Sequence, residues 1–475
     1  MINFSNTYYK LPSSFYERSN PSAAKSPSLI AYNYELGKAL GIDTQRKTNE
    51  ELANIFSGKV VLNGSEPLAM AYCGHQFGHF NPSLGDGRAH LLGEVLTGDN
   101  QRYDIQLKGS GRTKFSRGGD GLSWLGPVVR EYIVSEAMHH LGIPTTRALC
   151  AVRSGAPVFR EDELPGGIFT RVASSHLRVG TFEYFSARSE QDLKTLADYA
   201  IERHNPELSK EAHKYYRFFE SVVKRKLSLV SKWMGVGFIH GVMNTDNTSI
   251  AGITIDYGPC AFMDNYKHDK VFSSIDRFGR YSYSNQAKIA LWNMSVLANA
   301  LFPLLLEESG LSSDQLADKL QKDFKEFEEY YNDLYLRVMC RKFGIFNPKK
   351  EDSKIVNLFL SYLEDNHLDF TNSFRALNQL QHENKEFEKL WLARIEDQDK
   401  GKEQIVELIN SSNPYIIPRN HQVARAIDSC LEGNDEYFLN LVEAYKNPFT
   451  QNDSLEDLAK GPTSSEIVHQ TFCGT

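Results

Sequence analysis

Metal and disulfide frameworks are the first things missing from this sequence. Six cysteines, Cys73, Cys150, Cys260, Cys340, Cys430 and Cys473, are spread over 475 residues without a C-x-x-C pair. That spacing argues against a zinc ribbon and a disulfide-stapled secreted fold, and points to a reducing, cytoplasmic compartment. There is no Walker A pattern and no G-x-G-x-x-G opening a helix, so P-loop and Rossmann sites gain no support. The opening residues, MINFSNTYYKLPSSF, lack the basic and apolar regions of a secretory leader and the Arg-rich character of a transit peptide. A basic excess is also missing: the net charge of −7 disfavours nucleic-acid phosphates and anionic membranes as partners of the whole molecule. One uncharged run, Ile289 to Leu306, approaches bilayer-spanning length. Asn293, Ser295 and Asn299 fall inside it and Pro303 is expected to break its last turn, so it reads as a buried helix.

What is present is ordinary globular material. Hydrophobic residues make up 41% and charged residues 24%, enough for a large core and too balanced for a disordered chain. The length suits one elaborate enzyme or several domain-sized units, and no repeat or low-complexity tract divides it. From Met1 to about Leu62 the pattern is loop and helix, with Leu29, Tyr32, Leu36 and Leu40 at helical spacing over Ser28 to Leu40. Two β-like runs follow, Arg88 to Leu96 and Arg102 to Gly109, joined by the turn-prone TGDNQ, which predicts adjacent antiparallel strands. A helix is expected over Pro127 to Leu141, with proline at its start and Gly142 and Pro144 as stop signals. GGIFTRVA reads as another strand, and helical patterns dominate after Ser209. The coarse class is α+β, a mixed α/β N-terminal lobe followed by a larger helical lobe.

The chemistry concentrates in a few places. GDGR, Gly85 to Arg88, opens a strand, where glycines let backbone N–H groups approach a phosphate. In the following strand Asp104, Gln106 and Lys108 share the face opposite Tyr103, Ile105 and Leu107. A strand lysine after a glycine turn and before a helix with acids fits a kinase-like Lys–Glu pair, with Glu131 favoured and Glu136 in reserve. The sharpest pattern is HGVMNTDN, in which His240 precedes Asn247 by the seven positions of the kinase catalytic loop, followed by DYG at Asp256. Asn247 and Asp256 can supply the amide and carboxylate oxygens that Mg²⁺ prefers. The position of the kinase catalytic aspartate holds Val242, which accepts no proton, so a phosphoryl transfer to a hydroxyl has lost its base. Either nucleotide binds without chemistry, or a neighbouring acid, with Asp246 the obvious choice, takes the proton in a different reaction.

These motifs resemble those of the selenoprotein O family of protein adenylyltransferases, also described as pseudokinases. The resemblance rests on YCGHQFGHFNPSLGDGRAHLLGE, DIQLKGSGRTKFSRGGDG, REYIVSEAMHHLGIPTTRAL, HGVMNTDN, TIDYGP and GRYSYSNQ, and returns at NPYIIPRNH. It implies a protein-kinase-like bilobal fold that binds ATP in an inverted orientation and transfers AMP to protein hydroxyls with release of pyrophosphate. Carried over motif by motif, nucleotide-binding positions fall on Gly85, Gly87, Arg88, Lys108, Asp120, Gly121, Arg171 and Arg178. The ligands of Mg²⁺ or Mn²⁺ fall on Asn247 and Asp256, and the base on Asp246. Arg88 and Arg178 bring planar forks to phosphate oxygens, and Lys108 a point charge; Asp120 has no independent argument. The domain boundaries expected on this basis are an N-terminal extension packing on the core over 1–63, an N-lobe over 64–165, a hinge and catalytic region over 166–283, and a helical C-terminal region over 284–475.

The implied partners are proteins with Ser, Thr or Tyr acceptors, redox proteins among them, for a monomer that engages neither nucleic acid nor membrane. An inert ATP-binding scaffold and a kinase with a non-standard base are the rival readings. His75 and His79 have the spacing of a helical metal pair, but Gly74, Gly78 and Pro82 oppose a helix there. His139 and His140 end a helix, where positive charge complements the dipole. Cys473 stands where some family members carry selenocysteine, and Cys260 is the expected partner in a redox switch.

Overall fold

The computed structural model describes residues 1–471. Eleven strands occur in chain order among these residues: β1 (Tyr16–Arg18), β2 (Ser28–Tyr32), β3 (Leu68–Met70), β4 (Gly74–Gln76), β5 (His79–Asn81), β6 (Ala89–Leu96), β7 (Arg102–Lys108), β8 (Arg147–Phe159), β9 (Glu163–Ala173), β10 (Phe238–Ile239) and β11 (Ala261–Phe262). Seven build the main sheet in the order β1-β3-β6-β7-β9-β8-β2, and every pairing is antiparallel. β4 with β5 and β10 with β11 form separate two-stranded ribbons. The result is a mixed α/β molecule with one antiparallel sheet and many helices.

The expected ribbon over Arg88 to Gly109 is β6 and β7, in register from Ala89↔Lys108 to Leu96↔Arg102. Ile105 and Leu107 enter the core, while Asp104 and Gln106 on the opposite face are buried as well, so β7 is covered on both sides. The helix expected over Pro127 to Leu141 runs Leu125–His140. It lies between the sheet, through β8 and β9, and the C-terminal helix Asn420–Leu431. Val129, Tyr132, Ile133 and Ala137 share one core with Ile416, Val423, Ala426 and Phe438. Burial all around explains why its apolar residues do not form a single stripe.

Two local expectations are corrected. Ser28 to Leu40 is not one helix: Ser28–Tyr32 is edge strand β2 and only Tyr34–Ala39 is helical. Ile30, Ala31 and Tyr32 are buried along the strand, and the Asn33 side chain accepts the Leu36 N–H to start the helix anew. Pro303 does not end its helix, which runs Gln286–Ser309 with the proline inside. Leu301, Leu304 and Leu305 on either side of it are buried, and that packing offsets the hydrogen bond a proline removes. Among the described residues this is the one helix long and apolar enough to cross a membrane, and 56% of its most apolar window is buried against the rest of the chain.

Charged clusters tie sheet to helices. Arg203, in the helix Glu190–His204, donates to Asp104 at 2.5 Å and lies 3.3 Å from Glu94. Glu94 in turn accepts the backbone N–H of Thr7 and Tyr8 at 2.8 and 2.6 Å, pinning the N-terminal segment to β6. Burial alone would raise the Asp104 carboxyl, but Arg203 and then His176 outweigh it and hold it well below the usual carboxylate range. Further on, Arg419 is 1% exposed and reaches Asp264 at 2.6 Å, Asp369 at 2.7 Å and the Ala459 carbonyl at 2.9 Å.

A carboxyl depressed by folding stabilises fully above its unfolded value and loses that contribution as pH falls. Asp104→Asn is therefore less stable than wild type at pH 7, and its stability changes less as pH drops from about 5 to about 2, as read by urea unfolding at each pH. Arg419→Met leaves two carboxylates facing each other and lowers stability by about 3–5 kcal/mol, measured by the shift in the urea midpoint.

Candidate functional site

A cavity of about 640 Å³ opens between the sheet and the helices. The residues given a catalytic, nucleotide-binding or metal-binding place by the sequence, with Glu131, line it: Gly85, Gly87, Arg88, Lys108, Asp120, Gly121, Glu131, Arg171, Arg178, Asp246, Asn247 and Asp256.

Its roof is the Leu84–Arg88 turn. The Tyr72 carbonyl accepts the N–H groups of Leu84 and Gly85 at 3.1 and 3.0 Å. Gly85 has φ +66°, and a Cβ there would lie 2.2 Å from the Phe115 ring. A Cβ on Gly87 would lie 2.8 Å from the Phe115 carbonyl, and one on Gly121 2.3 Å from the backbone of Gly111. Gly85 and Gly87 are thus required first by the close packing of this turn against the Gly109–Gly121 loop, and Gly121 by the closure of that loop on itself, packing reasons that the motif alone does not reveal.

The floor is a cluster of charges around Asp256. Lys108, the last residue of β7, places Nζ 2.5 Å from Glu131 and 2.7 Å from Asp256 Oδ1. Glu136 is engaged elsewhere, by Arg147 at 2.8 Å and the Ala148 N–H at 2.8 Å. Arg171, beside Gln106 in the β7–β9 register, donates to Asp256 Oδ1 at 2.7 Å. Arg178, at the N-cap of the helix Val179–Ser186, donates to Asp256 Oδ2 at 2.6 Å and to the Asp246 carbonyl at 2.5 Å. Its guanidinium also lies over the Tyr72 ring, 4.7 Å from the centroid. Burial pushes the Asp256 carboxyl up, yet Arg171, Lys108 and Arg178 together hold it well below the usual range. Asp256 has φ +63°, a left-handed conformation that a non-glycine residue keeps only where contacts enforce it.

The His240–Asn247 segment forms the wall. His240 is buried, and burial lowers its imidazole to about 4, so the neutral ring donates from Nε2 to the Ile255 carbonyl at 2.8 Å. This ties the two motifs together directly before Asp256. Val242 is buried and presents its carbonyl to Asn247 Nδ2 at 2.9 Å. Gln76 Nε2 donates to Asp246 Oδ2 at 2.9 Å, while Asp246 Oδ1 is buried with no hydrogen-bond partner among the described residues. Burial raises the Asp246 carboxyl to about 6. The β4–β5 hairpin covers this wall, with Thr245 Oγ1 accepting the His75 N–H at 2.7 Å and Asn244 Oδ1 accepting the Phe77 N–H at 3.1 Å and the Tyr281 hydroxyl.

Asp120 sits at the exposed rim in an ion pair with Arg160 at 2.7 Å, away from the Asp256 cluster. His75 and His79 lie on opposite strands of the hairpin; His75 Nδ1 meets Glu183 at 2.5 Å and His79 faces solvent. Cys260 is 1% exposed; Cys473 lies outside the described residues. Among the described residues no group of three or more His, Cys, Asp or Glu is arranged to hold a metal, so a cation here would depend on an amide and a carboxylate such as Asn247 and Asp256.

Four contributors escaped the motif reading. Asp86 Oδ2 accepts the Met70 N–H at 3.2 Å and Gln106 Nε2 at 2.9 Å, and Gln106 Oε1 accepts Arg171 Nε at 2.8 Å. These two residues hold Arg171 in place from behind. Gln76 orients Asp246, and Arg130 adds a further cation to the lining. Strand alternation did put Gln106 on the same face as Lys108, and that was the available signal.

Comparison with known proteins agrees over the whole length. The family model described as "Protein adenylyltransferase SelO" matches residues 1–446. A "Protein nucleotidyltransferase YdiU" of Clostridium perfringens (strain SM101) is 46% identical over 484 residues, covering 100% of this chain and 98% of that protein. Proteins of the same name from Nitrobacter hamburgensis and Anoxybacillus flavithermus are 46% and 47% identical, covering all of this chain and 96% and 99% of their own lengths. The chain belongs to the protein adenylyltransferase SelO family.

Proposed function

We propose that the chain transfers AMP from ATP to Ser, Thr or Tyr hydroxyls of other proteins, in a kinase-like bilobal frame that holds the nucleotide inverted. One observation carries this reading: the wall offers a carboxylate at Asp246 and none at Val242, above a floor where Lys108, Arg171 and Arg178 converge. The β- and γ-phosphates carry most of the triphosphate charge and are best neutralised by that floor. The α-phosphorus then stands toward the mouth, on the Asp246 side. The acceptor O–H gives its proton to Asp246, its oxygen bonds to the α-phosphorus, and pyrophosphate leaves with the electron pair of the broken P–O bond. Gln76 fixes Oδ2 of that base, and Oδ1 carries no competing hydrogen bond among the described residues.

The donor set fits a hard divalent ion. Asn247 uses its N–H on Val242 and keeps its amide oxygen, and Asp256, whose oxygens meet Lys108, Arg171 and Arg178 here, would add a carboxylate once phosphate takes over those cations. Mg²⁺ or Mn²⁺ held by these two residues would neutralise phosphate charge. Names of the relatives, which speak of nucleotide transfer to protein, support the same class of chemistry.

Parallel incubation with α-labelled and γ-labelled ATP separates this from a kinase. The α-label alone is transferred to acceptor proteins, Lys108→Ala and Asp256→Ala abolish or sharply reduce transfer, and Asp246→Asn slows it by about 10²–10⁴-fold. Transfer of the γ-label, or of neither label, overturns the reading. Chelation with EDTA stops α-label transfer and added Mg²⁺ or Mn²⁺ restores it; undiminished transfer after chelation removes Asn247 and Asp256 from the ligand role.

A further inference from the structure

A second groove, of about 460 Å³, adjoins the site. Phe77 and Ile275 line both, so the two cavities share a wall. Phe77 is fixed by its N–H to Asn244, two residues before Asp246, which brings the groove to the side of the proposed base.

Its outer edge is unusual in two respects. Phe278 is 97% exposed and Ile275 60%, and Phe278 is the most exposed large hydrophobic residue among those described. They stand on an anchored turn: Asp276 accepts the N–H groups of Arg280 and Tyr281 at 2.9 and 2.8 Å, and Ser274 N–H pairs with the Thr471 carbonyl at 3.3 Å. The rim is also cationic. Arg277, Arg280 and Lys288 line it without a carboxylate partner among the described residues. Arg280 lies over the Trp292 ring at 4.6 Å. The one acid in the lining, Asp276, is 5% exposed and spends both oxygens on backbone N–H groups. In a chain of net charge −7, a local excess of unneutralised cations beside exposed apolar side chains selects a partner of opposite sign with its own apolar group.

We propose that this groove docks the acceptor: an extended segment of the protein substrate with an apolar residue and Asp or Glu side chains close to the hydroxyl that receives the nucleotide. The proposal rests on the transfer reaction above for the word acceptor, but not for the binding itself. The apolar residue packs against Phe278 and Ile275, the acids meet Arg277 and Lys288, and a segment that passes over the shared Phe77 brings the hydroxyl to the Asp246 side.

The test is fluorescence anisotropy on the full chain with fluorescein-labelled peptides carrying a central Ser or Tyr and Leu, flanked by either Glu or Lys. The Glu peptides bind wild type at least about tenfold more tightly than the Lys peptides. Arg277→Glu with Lys288→Glu inverts that preference, and Phe278→Ala weakens both peptide classes, while all variants bind ATP as wild type does. Equal binding of the two classes, a preference that charge reversal does not invert, or tighter binding of single-stranded oligonucleotide than of Glu peptide overturns the proposal. The α-label assay reports the reaction separately. Transfer that ignores peptide charge removes the groove alone, and charge-selective binding without transfer to any acceptor removes the reaction alone.

Discussion

The structure depends on one half-buried carboxylate that is never left alone. Asp256 is met by Lys108 from the end of a strand, Arg171 from near the end of another and Arg178 from the start of a helix. An isolated ionised carboxylate would be costly at this depth, and three cations without it would repel one another. Each partner therefore needs the others, and the elements that carry them are held at one distance. Lys108 continues the chain of charge to Glu131 and so to the helix Leu125–His140, and Gln106 and Asp86 extend it behind Arg171. The donors proposed to receive phosphate are those that Asp256 occupies, so a bound nucleotide would have to compete with the carboxylate for one set of hydrogen bonds.

The wall above this floor is organised differently, by backbone and amide contacts instead of ion pairs. Asn247 closes its turn on the Val242 carbonyl, His240 bonds to Ile255, and the β4–β5 hairpin is fastened by Thr245 and Asn244. A neutral scaffold of this kind leaves the Asp246 carboxylate distinct from the Asp256 cluster: one acid is saturated with cations, the other is held by a single amide. Two carboxylates in one cavity are thereby separated by environment, the condition for giving them different tasks.

Much of this was legible in the sequence where the signal is local. Alternation along Arg102–Lys108 marked the strand and its polar face, and Pro127 and Gly142 bracketed the helix, because both depend on neighbours close in the chain. The spacing of His240, Asn247 and Asp256 marked the wall for the same reason. The face of Gln106 was legible but its link from Asp86 to Arg171 was not, since a buried Asp–Gln–Arg chain is defined only when strands 65 residues apart pair. Over Ser28 to Leu40 the apolar residues serve first a sheet edge contributed by Arg147–Phe159 and then a short helix, and the mixture imitated a helical period. The choice between Glu131 and Glu136 required Arg147, whose approach to Glu136 is tertiary.

The helix bearing Glu131 is clasped from outside by Tyr415, Ile416 and the Asn420–Leu431 helix, more than 280 positions later in the chain. During translation, that flank stays bare until the ribosome has released almost the whole polypeptide. The glutamate that positions Lys108 then sits on an element with only one neighbour, and apolar surface waits for its cover at the stage when nascent chains are prone to aggregate. The outer support of the cleft therefore comes from the last part of the chain, and a prematurely terminated polypeptide would carry every cleft residue yet lack the clasp that sets them.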